Sequence, residues 1–189
     1  MCFANGFANG PASGFLCFKK RAGDCTLWQV LLTMLTIGTD DPIGPTAREL
    51  IHDLCAELSG RYGAPPSPFS TSEAAAARTI FLVARLDGQP VGCAALRRID
   101  DHTAEIKRMY VAPAGRRKGI ARRLLAELEQ SAMEFDYRAI RLETGILQPE
   151  AQRLYESCGY KRIATFGPYV GNPISICYEK VLRDQHRDT

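Results

Sequence analysis

A chain of 189 residues with 46% hydrophobic and 24% charged side chains has the make-up of one ordinary folded domain, large enough to bury a core. Its net charge of +3 is too mild for a partner held through polyanionic charge, so no nucleic-acid binding is expected, and no apolar run approaches the roughly 20 residues that span a bilayer, so no membrane attachment is expected. The seven cysteines are odd in number, lack CxxC spacing and have no histidines at ligand spacing, which predicts reduced thiols in a cytoplasmic protein and neither a metal site nor a disulfide framework.

Residues 1–33 repeat Phe-Ala-Asn-Gly and show neither helical nor strand periodicity. Lys19, Lys20 and Arg21 follow the apolar part instead of preceding it, the wrong order for a signal peptide. This segment is read as a leader or a mis-assigned start, with Met34 opening a single domain over 34–185 and residues 186–189 as a tail. Ala47, Leu50, Ile51, Leu54, Cys55 and Leu58 fall on one helical stripe, with Pro45 suited to the first turn and Gly60 to the end. The Pro-rich run 64–72 cannot continue that helix.

Three antiparallel strands are predicted next, at about 79–86, 91–99 and 104–111, joined by turns at Asp87-Gly88 and at Asp100 to His102. A helix over about 119–135 buries Ile120, Leu124, Leu125, Leu128 and Ala132. Then come a strand at 139–144, a helix from Pro149 to Cys158, and strands at 160–166 and 174–182. A meander that leads into a strand-helix-strand unit predicts a mixed α/β (α+β) sheet flanked by helices.

Between the third strand and its helix lies Gly-Arg-Arg-Lys-Gly, Gly115 to Gly119. Glycines at a strand-to-helix junction let several N–H groups converge, and with the helix dipole they make an anion site suited to phosphate. The run lacks the Gly-Lys-Ser/Thr of a Walker loop and the spacing of GxGxxG. No aromatic residues interleave with the charges to stack bases, which again disfavours nucleic acid.

Arg116, Gly119 and Ala121 do fit Q/R-x-x-G-x-G/A, and the strand EIKRMYV before them, RLET and QPEAQRLYESCGY after them, follow in a matching order. In these blocks, over about residues 34–182, the chain resembles the GNAT superfamily of acetyl-CoA-dependent N-acetyltransferases. The resemblance implies a mostly antiparallel central sheet splayed between its two central strands. It also implies that Met109, Tyr110, Val111, Arg116, Arg117, Lys118, Gly119, Ile120, Ala121 and Gln148 contact acetyl-CoA, with Gln148 standing where the family often has Asn. Arg122 and Arg123 solvate the helix or touch an outer phosphate of the cofactor.

Acetyl transfer needs a neutral amine, a stabilised carbonyl oxygen and a protonated leaving thiolate. A bulge or splay in the strand 106–111 would free N–H groups near Met109 to Val111 for the carbonyl. The resemblance points to Tyr155 as the acid, since a phenol is protonated at neutral pH. Glu105 and Glu143 are rival bases, with ordered water as a third possibility. The expected reaction is direct transfer from acetyl-CoA to a primary amine, in a ternary complex with a small-molecule acceptor drawn against the 45–70 region and Phe166 to Pro173. The alternatives are a protein or peptide N-acetyltransferase and an acyl-CoA-binding regulatory module without turnover. A homodimer is compatible with the sequence.

Overall fold

The computed structural model describes residues 34–63 and 76–182. The chain divides into two units, Met1–Leu32 and Thr33–Thr189, and all described residues belong to the second. The readings made for 1–33, for 64–72 and for the tail lie outside the described residues.

The strands are β1 Leu35–Thr39, β2 Ile80–Leu86, β3 Gln89–Arg98, β4 Thr103–Val111, β5 Ala139–Gly145, β6 Lys161–Ile163 and β7 Ser175–Val181. They form one sheet in the order β1-β2-β3-β4-β5-β7-β6. Every neighbouring pair is antiparallel except β4 and β5. That exception follows from the chain: the helix α2, Ile120–Glu134, carries it from the end of β4 back to the start of β5, which makes the two strands parallel.

Helices cover both faces. On one, Ala47, Leu50 and Leu54 of α1, Pro45–Tyr62, pack on Phe81, Val83, Cys93, Ala95 and Tyr110. On the other, α2 lays Ile120, Leu124, Leu125 and Leu128 on Leu82, Leu96, Ile106, Ile140 and Leu142. Each such side chain taken from water contributes about 2 kcal/mol. The third helix, α3 Pro149–Ser157, joins this second core through Tyr155.

Three differences from the sequence reading have physical causes. The strand β1 was not expected, yet Leu35 and Ile37 are half-buried against the second core, and its backbone pairs with β2 from Leu35↔Leu86 to Thr39↔Leu82. The first helix passes through Gly60 and stops at Gly63, whose φ of 73° lets its N–H reach the Ser59 carbonyl. The strand predicted at 160–166 pairs only over Lys161–Ile163, because Phe166 leaves the sheet to pack edge-on against Tyr169 in the turn Gly167–Tyr169.

Candidate active site

The parallel pairing of β4 with β5 runs from Thr103↔Ala139 to Ile106↔Leu142 and goes no further, although β4 continues to Val111 and β5 to Gly145. The cause is visible in β4. Cys93 faces Tyr110 and Ala95 faces Lys107, so Arg108 and Met109 together stand opposite the single residue Ala94. This is a β-bulge, with Arg108 at a φ of 56° and its carbonyl accepting the Cys93 thiol at 3.4 Å. A bulge bends and twists its strand, here away from β5. Among the described residues no strand covers the β5-facing edge of β4 beyond Ile106.

The parting opens a cavity of about 420 Å³. Its base is Ile106, Lys107, Arg108 and Met109 of β4 and Glu143, Thr144 and Gly145 of β5; Leu54, Leu58 and Tyr62 of α1 cover one side, and Tyr155, Gln148, Tyr169, Asn172 and Ile174 complete it. The C-terminal end of α1 is fastened across the gap. The Leu147 N–H donates to the Tyr62 hydroxyl at 2.9 Å, and Arg61 donates to the Leu147 carbonyl at 2.9 Å and pairs with Glu150 at 2.5 Å. A Cβ at Gly145 would stand 1.9 Å from the Tyr62 oxygen, so this crossing requires glycine.

Beside the splay, α2 begins at Gly119 with φ 75°, preceded by Arg117 at φ 61°. Among the described residues no side chain caps this end and nothing fills the space over Gly119, and the first turn holds no acidic residue. The loop therefore presents uncapped N–H groups and the positive end of the helix dipole to solvent, with exposed Arg117 and Lys118 around them. An anion fits there without displacing anything built into the fold.

Three titratable side chains differ sharply in setting. The Tyr155 ring is 5% exposed, its centre 6.0 Å from those of Tyr160, met edge-on, and Tyr178, met at a tilt, and its hydroxyl has no hydrogen-bond partner among the described residues. Burial first, then the Glu143 charge, raises its pKa, so it stays protonated at neutral pH. Glu143 is half-buried, accepts a hydrogen bond from Ser175 Oγ at 2.6 Å, and has its pKa raised by burial against the opposing pull of Ser175 and Lys107. Glu105 is 1% exposed and fully engaged: Oε2 accepts from Arg97 Nε at 2.8 Å and lies 2.6 Å from Arg97 Nη2, while Oε1 accepts from the Tyr169 hydroxyl at 2.7 Å.

The profile of the Acetyltransferase (GNAT) family matches residues 47–160. The chain belongs to the acetyltransferase (GNAT) family. It is 36% identical over 151 residues to the IAA acetyltransferase of Azospirillum brasilense, covering 78% of this chain and 98% of that one. A match to the N-acetylaspartate synthetase of Danio rerio, 42% identical over 90 residues, covers 47% of this chain and spans 32% of that relative. Among solved structures, a Klebsiella pneumoniae protein assigned as an acyl-CoA N-acyltransferase superposes with a TM-score of 0.69 at 33% identity, over 79% of this chain and 99% of that one. An Elizabethkingia anophelis GNAT acetyltransferase, solved with acetyl-CoA bound, shares the fold at a TM-score of 0.58 and 20% identity, over 78% and 98%. The mixed, mostly antiparallel sheet is the one expected of a GNAT enzyme, and acetyl-CoA is the cosubstrate of this N-acetyltransferase class.

In this GNAT domain the residues singled out from the sequence fall into three groups. Met109, Glu143, Gln148 and Tyr155 line the cavity. Arg117, Lys118, Gly119 and Ala121 lie around the start of α2. Tyr110 and Ile120 turn their side chains into the two cores, 7% and 1% exposed, which leaves only their backbone for a ligand, and Val111 pairs with Gly92. The Arg116 side chain is spent on the Val111 carbonyl, at 2.9 Å, and on an ion pair with Glu57 of α1. Arg122 donates to Ser157 Oγ at 2.9 Å. Gln148 accepts from Thr144 Oγ1 at 3.3 Å. Sequence reasoning did not single out Arg97, Lys107, Tyr62 or Tyr169. The alternation of Glu105 and Lys107 on one face of β4, with Arg97 across the turn, was the signal available for two of them. Among the described residues no helix is long and apolar enough to cross a membrane.

Proposed function

We propose that the protein moves an acetyl group from acetyl-CoA to a primary amine of a small-molecule acceptor, by direct attack while both are bound, and that residues 34–185 carry the whole activity. The observation that supports this most is one cavity in which a strand edge, a buried tyrosine hydroxyl and a carboxylate of raised pKa meet, the edge and the hydroxyl both without a partner among the described residues.

In this reading the pantetheine arm lies along the open edge of β4, its pyrophosphate at the N–H groups of Gly119 to Ala121, and the N–H groups released by the Arg108 bulge face the thioester oxygen as charge develops on it. The amine nitrogen attacks the carbonyl carbon, the C–S bond breaks, the sulfur takes the Tyr155 proton and the amine gives up its proton towards Glu143. A raised pKa makes Glu143 the stronger proton acceptor, whereas both Glu105 oxygens are already in use. Glu143 is accordingly the base and Glu105 a positioning residue.

Release of CoA thiol over a panel of primary amines tests the reaction. Release with none of them, together with an unchanged melting temperature at millimolar CoA, would refute it. Gly119→Asp should abolish the CoA-induced rise in melting temperature, because its carboxylate would repel the phosphates. A chain beginning at Met34 should keep that rise.

A further inference from the structure

Among the described residues, the charged side chains on the cavity wall are Lys107, Arg108 and Glu143. Behind them, the Glu105 charge is taken up chiefly by the two Arg97 contacts on Oε2. Lys107 Nζ stands 3.7 Å from Oε1, beyond hydrogen-bonding distance, and donates instead to the Tyr169 hydroxyl, which itself donates to Oε1. An ammonium has three donors, and Tyr169 uses one. The side chain is 24% exposed and reaches the cavity, so its remaining donors face the space a ligand would fill.

An amine about to attack must be neutral, and it therefore brings no charge to this site. With a plain alkylamine bound and water displaced, the Lys107 head would keep only its 3.7 Å ion pair with Glu105, a carboxylate that Arg97 already grips more closely. Burial already holds its pKa below the ordinary lysine value, and the Glu105 and Glu143 charges offset only part of that effect. The head is also fixed in place: Tyr169 holds it by the hydrogen bond and lies with its ring centre 5.1 Å from Nζ.

We propose that the acceptor is an amine that also carries a carboxylate, of the α-amino acid class, with Lys107 anchoring the carboxylate while Glu143 faces the amine. The assignment rests on the acetyl-transfer reading of the cavity. Leu54, Leu58 and Ile174 offer an apolar wall to the body of such an acceptor.

Calorimetric titration of the CoA-saturated full chain with leucine, phenylalanine and methionine, each beside its carboxamide and its decarboxylated amine, reads the anchor directly. At least one acid should bind about tenfold or more tightly than both of its uncharged-end analogues, since a site built around a charge rejects the analogue that lacks it. Lys107→Met should erase that preference and Lys107→Arg should retain it, with circular dichroism showing both variants folded. Acids bound no better than their amides and amines, or a folded Lys107→Met protein with its preference intact, would overturn the proposal. Thiol release measured on the same panel keeps the two readings apart. An acid preference in binding without any release would sink acetyl transfer alone, and release that is fastest with the decarboxylated amines would sink the carboxylate anchor alone.

Discussion

Glu105 and Glu143 project from the same face of two neighbouring parallel strands, Glu105 level with Arg141 and Glu143 just beyond the last paired level, Ile106↔Leu142. Below that level the strands stay together, and the carboxylate is walled in by an arginine fork and a tyrosine hydroxyl. Above it they part, and the carboxylate keeps one serine donor and faces a cavity. The setting of a carboxylate on this sheet is thus decided by strand pairing more than by residue type. A closed ladder supplies neighbours that fix a charge, and a parted one leaves it short of partners, with a pKa free to drift upward.

If the contrast holds, the largest effect belongs to Glu143. Glu143→Gln keeps the acceptor oxygen for Ser175 and removes the base, so kcat with an amine acceptor should fall by roughly 10²- to 10³-fold while the fold stays intact. A variant with wild-type kcat would erase the distinction between the two carboxylates. Tyr155→Phe comes next. Its hydroxyl has no partner among the described residues, so none of them is orphaned when it goes. The melting temperature should hold, kcat should drop by about 10²-fold, and the Michaelis constant for acetyl-CoA should change little.

Glu105→Gln tests the other side. Loss of the charge leaves Arg97 facing a neutral amide in a buried setting, which should cost about 3 kcal/mol of stability, read as a lower denaturant midpoint. The folded fraction should retain far more activity than Glu143→Gln does. The reverse pattern, full stability with kcat abolished, would make Glu105 the base and Glu143 the bystander.

The sequence carried the elements well where a local period or a turn recorded them. The meander, the α2 stripe of Ile120, Leu124, Leu125 and Leu128, and the Gly119 start of that helix could all be read from spacing. The family blocks also brought Glu105, Glu143 and Tyr155 forward as candidates. What could not be read was which carboxylate is confined, because Arg97 lies across a turn and Tyr169 lies 64 residues away on a loop. Lys107 escaped notice for a related reason. Between Ile106 and Arg108 it resembles one more strand cation, and only the bulge and the approach of Tyr169 turn it into a fixed charge at the cavity.

The smallest effect tests the contrast by pH alone. Burial raises the Glu143 pKa above its ordinary value of 4.5, so between that value and the raised one the folded chain binds more protons than the unfolded chain. Stability must then fall as pH rises through this window, because ionising Glu143 is harder in the fold than outside it. Glu143→Gln has no such group, and its melting temperature should gain on the wild type over the same interval and run parallel to it above. The Ser175 hydrogen bond and the Lys107 charge oppose the shift by favouring the ionised form, while the Glu105 charge reinforces it. Were Lys107 a true salt-bridge partner of Glu143, the sign would invert, and the wild type would gain on the variant as pH rose. That outcome would make Glu143 a confined carboxylate like Glu105 and would occupy the very ammonium assigned to the acceptor, so one pair of melting curves bears on both the base and the anchor.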